Sequence, residues 1–178
     1  MDKIGIFIDG GYLAKILEHE HSSKRIDLGK LQDKMKNHYD LFRTYYYICP
    51  PFQSTTPTDD EKTRLGNYDR FIYNLHKIPH FEIRQGILIE TRDSFQQKRI
   101  DVMLAVDMVR TTWNRSMHRA AIIAGDGDFV PVINDIKNAG VIVCLYYSEN
   151  AISKELLDVC DERTRINEEF INSIRLNH

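Results

Sequence analysis

Arg119-Ala120-Ala121-Ile122-Ile123-Ala124-Gly125-Asp126-Gly127-Asp128-Phe129 decides the fold. A nearly continuous apolar run ends abruptly in glycines and aspartates. A run with no polar face reads as a strand covered on both sides, the signature of a parallel sheet. Gly125 and Gly127 flank Asp126 and permit a tight turn beyond the strand. Asp128 then precedes an apolar helical pattern over 129–138, which stops at Ala139-Gly140, and reads as its N-cap.

Two more runs share this character. Ile4-Gly5-Ile6-Phe7-Ile8 ends in Asp9, and Val141-Ile142-Val143-Cys144-Leu145 follows the glycine stop. Strands are therefore expected over 3–8, 119–125 and 141–147. Two others, 41–49 (rich in Tyr and Thr) and 81–90 (alternating), belong nearer a sheet edge. Helical patterns cover 11–20, a stretch capped by Asp27, 59–77, 100–113, 129–138, 153–160 and 168–175. The 100–113 pattern is apolar nearly all round and predicts a deeply packed helix. Segments 49–58, with Pro50, Pro51 and Pro57, and 90–98 read as loops. The alternation predicts one α/β domain over 1–178, a central, mostly parallel five-stranded sheet with helices on both faces.

Composition narrows the function. The chain has 178 residues, 42% of them hydrophobic, and a formal net charge of -2. That size buries a substantial core. The charge argues against strong overall attraction to nucleic acid but leaves room for a local basic face. The apolar start is too short to span a membrane and lacks the form of a signal peptide, so the expected location is the cytoplasm. Cys49, Cys144 and Cys160 show no metal-site spacing and fit reduced thiols. His76 and His80 stand at i,i+4, but Pro79 between them argues against a metal pair on one helix.

The acids carry the chemistry. Ligands of open α/β sheets bind beyond the carboxyl ends of the strands, where Asp9 and Asp126 both fall. If their strands are neighbours, the two carboxylates face one crevice. Asp101 heads an apolar helix, an odd place for a charge unless a cap or a ligand is needed. Asp107 lies about 120° further round that helix and has Arg110 three residues on as an ordinary partner. Several carboxylates around one pocket repel each other unless cations neutralise them. Mg²⁺ or Mn²⁺ suits such oxygen-only ligands. Metal-assisted phosphodiester hydrolysis is the matching chemistry. No phosphate-binding glycine loop is present.

Together these residues resemble the NYN domain family, the PIN-like nucleases that include the LabA-like group. The likeness runs from Phe7-Ile8-Asp9-Gly10, through Lys98-Arg99-Ile100-Asp101-Val102 and Ala105-Val106-Asp107, to Gly125-Asp126-Gly127-Asp128-Phe129-Val130-Pro131, and ends with Ser153-Lys154-Glu155-Leu156. The resemblance implies a PIN-like fold and a metal-dependent ribonuclease acting on RNA with Mg²⁺ or Mn²⁺. Its catalytic, metal-binding acids fall on Asp9, Asp101, Asp126 and Asp128, with Asp107 a further metal position. Substrate contacts fall on Lys98, Arg99, Tyr12 and Ser153. Tyr12 departs from the family, which commonly has Asn there; the loss of an amide alters water or phosphate contacts near a metal.

Arg92 joins Lys98 and Arg99 as a candidate phosphate contact, whereas Lys62 and Arg64 read as a solvated helix face. Tyr45, Tyr46 and Tyr47 alternate faces of a strand, so packing is their expected role. Besides RNA, a second copy of the chain is a candidate partner, since a dimer would widen a small substrate groove. The alternative function is a catalytically weak or inactive RNA- or protein-binding regulatory module of the same fold.

Overall fold

The computed structural model describes residues 2–91 and 94–176. Its centre is a six-stranded sheet: β1 (Lys3–Asp9), β2 (Asp40–Ile48), β3 (Phe81–Gln85), β6 (Arg119–Ile123), β7 (Ile142–Tyr147) and β8 (Glu162–Arg165). The strand order is β3-β2-β1-β6-β7-β8, and every pair is parallel. The helices are α1 (Gly10–Glu20), α2 (Leu28–Lys36), α3 (Asp59–Leu75), α4 (Ile100–Trp113), α5 (Val130–Asn138), α6 (Lys154–Val159) and α7 (Glu168–Ser173). Among the described residues, no helix is long and apolar enough to cross a membrane.

The period-two alternation of the central strands builds a core on each face. Phe7, Ile122, Val143 and Leu145 pack with Leu104, Met108, Ile133, Ile136 and Leu156 of α4, α5 and α6. Ile6, Ile8, Ala121 and Ile123 pack on the other face with Leu13, Ile16, Leu31 and Leu75 of α1, α2 and α3 and Ile171 of α7. Tyr45, Tyr46 and Tyr47 are buried between these layers, as their alternation predicts.

Three features correct the sequence reading. The sheet has six strands, not five. β8 is Glu162-Arg163-Thr164-Arg165, exposed throughout, so hydrophobic patterning carries no trace of it; its charges protect an open sheet edge. The expected strand over 81–90 divides at Gly86: β3 stays in the sheet, and β4 (Ile87–Glu90) turns away to pair antiparallel with β5 (Phe95–Lys98). The expected loop over 90–98 thus contains half of a two-stranded ribbon.

The third correction concerns α4. It is not packed all round: Val102, Val106 and Trp113 are 67%, 50% and 64% exposed, while Asp107, Thr111 and Thr112 are buried. The buried carboxylate has partners. Asp107 Oδ2 accepts from the Tyr47 hydroxyl and from Arg84 Nε, each at 3.0 Å, and Oδ1 accepts from Arg110 at 2.6 Å. Those donors satisfy the acid and fix the rotation of the helix, leaving valines towards water.

Candidate active site

The chain runs from β1 outward to β2 and β3, then returns to the other side of β1 as β6. The direction of strand order therefore reverses between β1 and β6, where the loops beyond their carboxyl ends diverge and open a crevice. Ile8 of β1 pairs with Ile123 of β6, so the two strands end side by side. Asp9 is the last residue of β1, and Asp126 follows β6 by three residues. The condition set by the sequence is met.

Both acids also organise backbone. Asp9 caps α1, its Oδ1 accepting from Tyr12 N at 3.0 Å. Asp126 caps a short 3-10 turn over Gly127–Phe129, its Oδ1 accepting from Asp128 N at 2.9 Å. A carboxylate has about four acceptor positions, so one such bond does not exhaust it. The cap thus belongs to Asp126, not to Asp128. Asp128 lies inside the turn, and α5 begins after Phe129 with no side-chain cap.

Asp101 stands in the first turn of α4, where its charge complements the helix dipole. The cap itself is Arg99, whose φ of 76° is left-handed and which makes no side-chain cap bond. Asp101 joins the group electrostatically. Its carboxyl is raised above the usual range by burial, then by the charges of Asp126 and Asp128. Asp9 is raised as well, by burial first and also by the charge of Asp101, against the lowering effect of Tyr12 N and Lys15. Asp101 thus lies within electrostatic reach of Asp9 on one side and of Asp126 and Asp128 on the other. Asp107 is held elsewhere, by Tyr47, Arg84 and Arg110.

Tyr12 lies across the crevice. A methyl group at Gly125 would stand 2.3 Å from Tyr12 Cε2 and 2.6 Å from Ala151 O, so only glycine lets the ring and the strand end meet. The Tyr12 hydroxyl accepts from Ser148 N at 3.1 Å, which pins the ring. Ser153 N donates to Gly125 O at 2.9 Å. A methyl at Gly127 would meet Ser153 Oγ at 2.7 Å and Glu155 Oε2 at 4.0 Å. Glu155 is thus an acid at the crevice that no strand-end argument singles out. Gln97 of β5 is another unforeseen neighbour: a methyl at Gly11 would stand 2.8 Å from its Oε1 and 3.4 Å from Asp9 Oδ1. Reading its segment as a loop hid it.

Lys98 and Arg99 are exposed and form no ion pair among the described residues. Arg92 lies outside the described residues. An apolar groove of about 420 Å³ between α1, α2 and α3, lined by Leu13, Leu17, Phe71 and Leu75, includes none of the crevice acids.

Does this group suit a divalent cation? Its donors are carboxylate oxygens, two of them raised by burial first and then by neighbouring carboxylates, which fits a hard cation that relieves both effects. They are not a closed cage. Among the described residues, no three His, Cys, Asp or Glu side chains are gathered tightly enough to share one metal ion. Spaced carboxylates suit an ion that keeps much of its own water, as Mg²⁺ does.

The comparisons with known proteins agree with this frame. One solved structure, a protein of unknown function from Vibrio parahaemolyticus (VPA0982), superposes with a TM-score of 0.72 over 98% of this chain and 96% of its own, at 19% identity. That likeness establishes the fold. An uncharacterized protein of Methanocaldococcus jannaschii, MJ0482, is 32% identical over 71 residues, 40% of this chain. The matched part is 30% of that protein's length. The NYN domain model matches residues 3–167, from the first strand to beyond the last. The chain accordingly belongs to the NYN domain family, a PIN-like ribonuclease family.

Proposed function

We propose that this chain hydrolyses RNA phosphodiester bonds with Mg²⁺ or Mn²⁺ as cofactor. One observation carries the reading: Asp9 and Asp126 stand at adjacent strand ends beside the switch point, with Asp101 close enough in charge to raise Asp9 and to be raised by Asp126 and Asp128. These four acids would hold the cation, directly or through its water. When bound, the cation supplies an activated water and steadies charge on the phosphate oxygens.

The chain's own residues set the geometry. Asp9 and Asp126 are locked by the backbone N–H groups they cap, so the acids are aimed before substrate arrives. The Tyr12 ring, pinned by Ser148, forms one wall beside Gly125. Lys98 and Arg99 offer positive charge next to Asp101 in the chain, where a phosphate approaching an acidic crevice needs it. Ser153, held to Gly125 O, lines the side nearest Asp126. Three free cysteines suit a reducing, cytoplasmic setting.

Asp126→Asn is the test. Purified variant and parent are compared on a labelled RNA with millimolar Mn²⁺, with the thermal unfolding of both recorded. Cleavage should fall by a factor of roughly 100 or more, the order of effect from removing one group that stabilises transition-state charge. Unchanged cleavage by the folded variant sinks the assignment. A second reading, a regulatory module that binds without cutting, is favoured by Tyr12, whose ring stands beside Gly125 where the family commonly has an Asn side chain. Calorimetry separates the two: no Mn²⁺ binding at millimolar concentration supports the module.

A further inference from the structure

We propose that Phe95, braced by Phe52, is a stacking platform for one unpaired base of the strand entering the acidic crevice. The proposal rests on the RNA-cleaving reading above and adds to it the residue that seats the strand.

The aromatic inventory leads there. Tyr45, Tyr46 and Tyr47 are spent on the core, and Phe7 stacks on Tyr45 beneath the sheet. Phe95 is different: half of its side chain remains exposed although it lies 5.0 Å, centroid to centroid, from Phe52. The two rings are inclined by 43°, so Phe52 supports one side of Phe95 without forming a sandwich. Phe52 belongs to the segment that leaves β2, the neighbour of β1 in the sheet.

Position on the ribbon supplies the second argument. Residues two apart on a strand share a face, so Phe95 and Gln97 lie on the same side of β5. Gln97 reaches Gly11 beside Asp9, which shows that this side of the ribbon addresses the crevice. Phe95 is then about 7 Å further out along the strand. Glu90 sits opposite Phe95 across the ribbon, so the cross-strand neighbour of the ring is an acid and not a phosphate-binding cation. Arg99 follows the strand at its inner end, while Lys98 by the same alternation lies on the other face of β5. Base outside and phosphate inside is the polarity a nucleotide needs here.

Charge makes the platform necessary. The chain carries a net charge of -2, and the crevice gathers four acids, so phosphate attraction alone is weak. A π-face attracts any base regardless of charge, provided that the base is unstacked from its neighbours. Duplex RNA hides its base faces and gains nothing from such a platform.

Binding is measured in EDTA, where nothing is cut, by anisotropy of a labelled single-stranded oligoribonucleotide. It is compared with the same strand carrying one abasic site, moved through successive positions. Phe95→Ala should weaken the intact strand roughly 5- to 150-fold. Phe95→Trp should restore it. One abasic position should bind the parent protein as weakly as the intact strand binds Phe95→Ala, and Phe95→Ala should cost that abasic strand nothing more. Equal affinity of parent and Phe95→Ala overturns the platform. So does an equal loss on intact and abasic strands, because the aromatic pair would then only brace the ribbon. Tighter binding of duplex than of single strand also overturns it. Cleavage by the parent with Mn²⁺ is scored separately. A strand held through Phe95 but never cut defeats the ribonuclease reading and leaves the platform standing; a strand cut with a KM indifferent to Phe95 does the reverse.

Discussion

Replacing Asp107 by alanine removes the acceptor that Tyr47, Arg84 and Arg110 share. The three donors lose unequally. Tyr47 is fully buried, and its hydroxyl would be left without a partner, at a cost of about 1–3 kcal/mol. Arg84 and Arg110 are 34% and 60% exposed, so their guanidinium groups turn to water and each pair contributes only about 0–1 kcal/mol. The sum is a loss of roughly 1–5 kcal/mol, centred on about 3 kcal/mol. In a domain of this size each kcal/mol lowers Tm by about 2–4 °C, so the melting point should fall by roughly 5–15 °C. Urea unfolding followed by far-ultraviolet circular dichroism gives the energy directly. The same substitution made in a Tyr47→Phe background should cost at least about 1 kcal/mol less, because no orphaned hydroxyl remains. Mn²⁺ affinity, measured below the melting range, should not change. A loss of less than about 1 kcal/mol, or a penalty unaltered by Tyr47→Phe, would refute the reasoning. Weakened metal binding with intact stability would return Asp107 to the metal.

Two other outcomes follow from local geometry. Arg99 adopts φ 76°, a conformation costing a non-glycine residue about 1–2 kcal/mol, so Arg99→Gly should stabilise the fold by about 0.5–1 kcal/mol while weakening RNA binding. A drop in both, read by urea unfolding and anisotropy, means that the arginine side chain supports the fold itself. Glu162 is held below its ordinary value of 4.5, chiefly by the hydrogen bond from Arg119, with the Cys144 thiol also donating to it. A depressed carboxyl stabilises the native state above the unfolded pKa, and that contribution fades as pH falls below about 4.5. Glu162→Gln should therefore flatten the decline of the urea midpoint between pH 6 and pH 3.5; an identical decline in both proteins contradicts the pairing.

The contrast between strands explains how much was legible. β1, β6 and β7 are buried on both faces, so burial alone wrote them into the sequence as apolar runs. Their terminal acids followed, because an aspartate beyond such a run must be capped, paired or put to use. β8 and β5 are exposed throughout and held by backbone hydrogen bonds, which any side chain permits. Nothing in their composition announces a strand. For the same reason, Gln97 and Phe95 could not be recognised as neighbours of the crevice.

The helix α4 marks the boundary between the two kinds of knowledge. Sequence by itself determined that Asp101 and Asp107 share one helix, that they point about 120° apart, and that Arg110 is within reach of the second. It also determined that Asp9 and Asp126 close two buried strands, since hydrophobic burial and turn chemistry are local and periodic. Only the tertiary structure decided that those strands are adjacent, because sheet order is set by long-range pairing. It also decided which aspartate feels the charges of Asp126 and Asp128 and which is enclosed by Tyr47 and Arg84, residues 60 and 23 positions away. A carboxylate reads the same in a sequence whether it awaits a cation or already has a guanidinium beside it. The difference is made by the field of its neighbours in space.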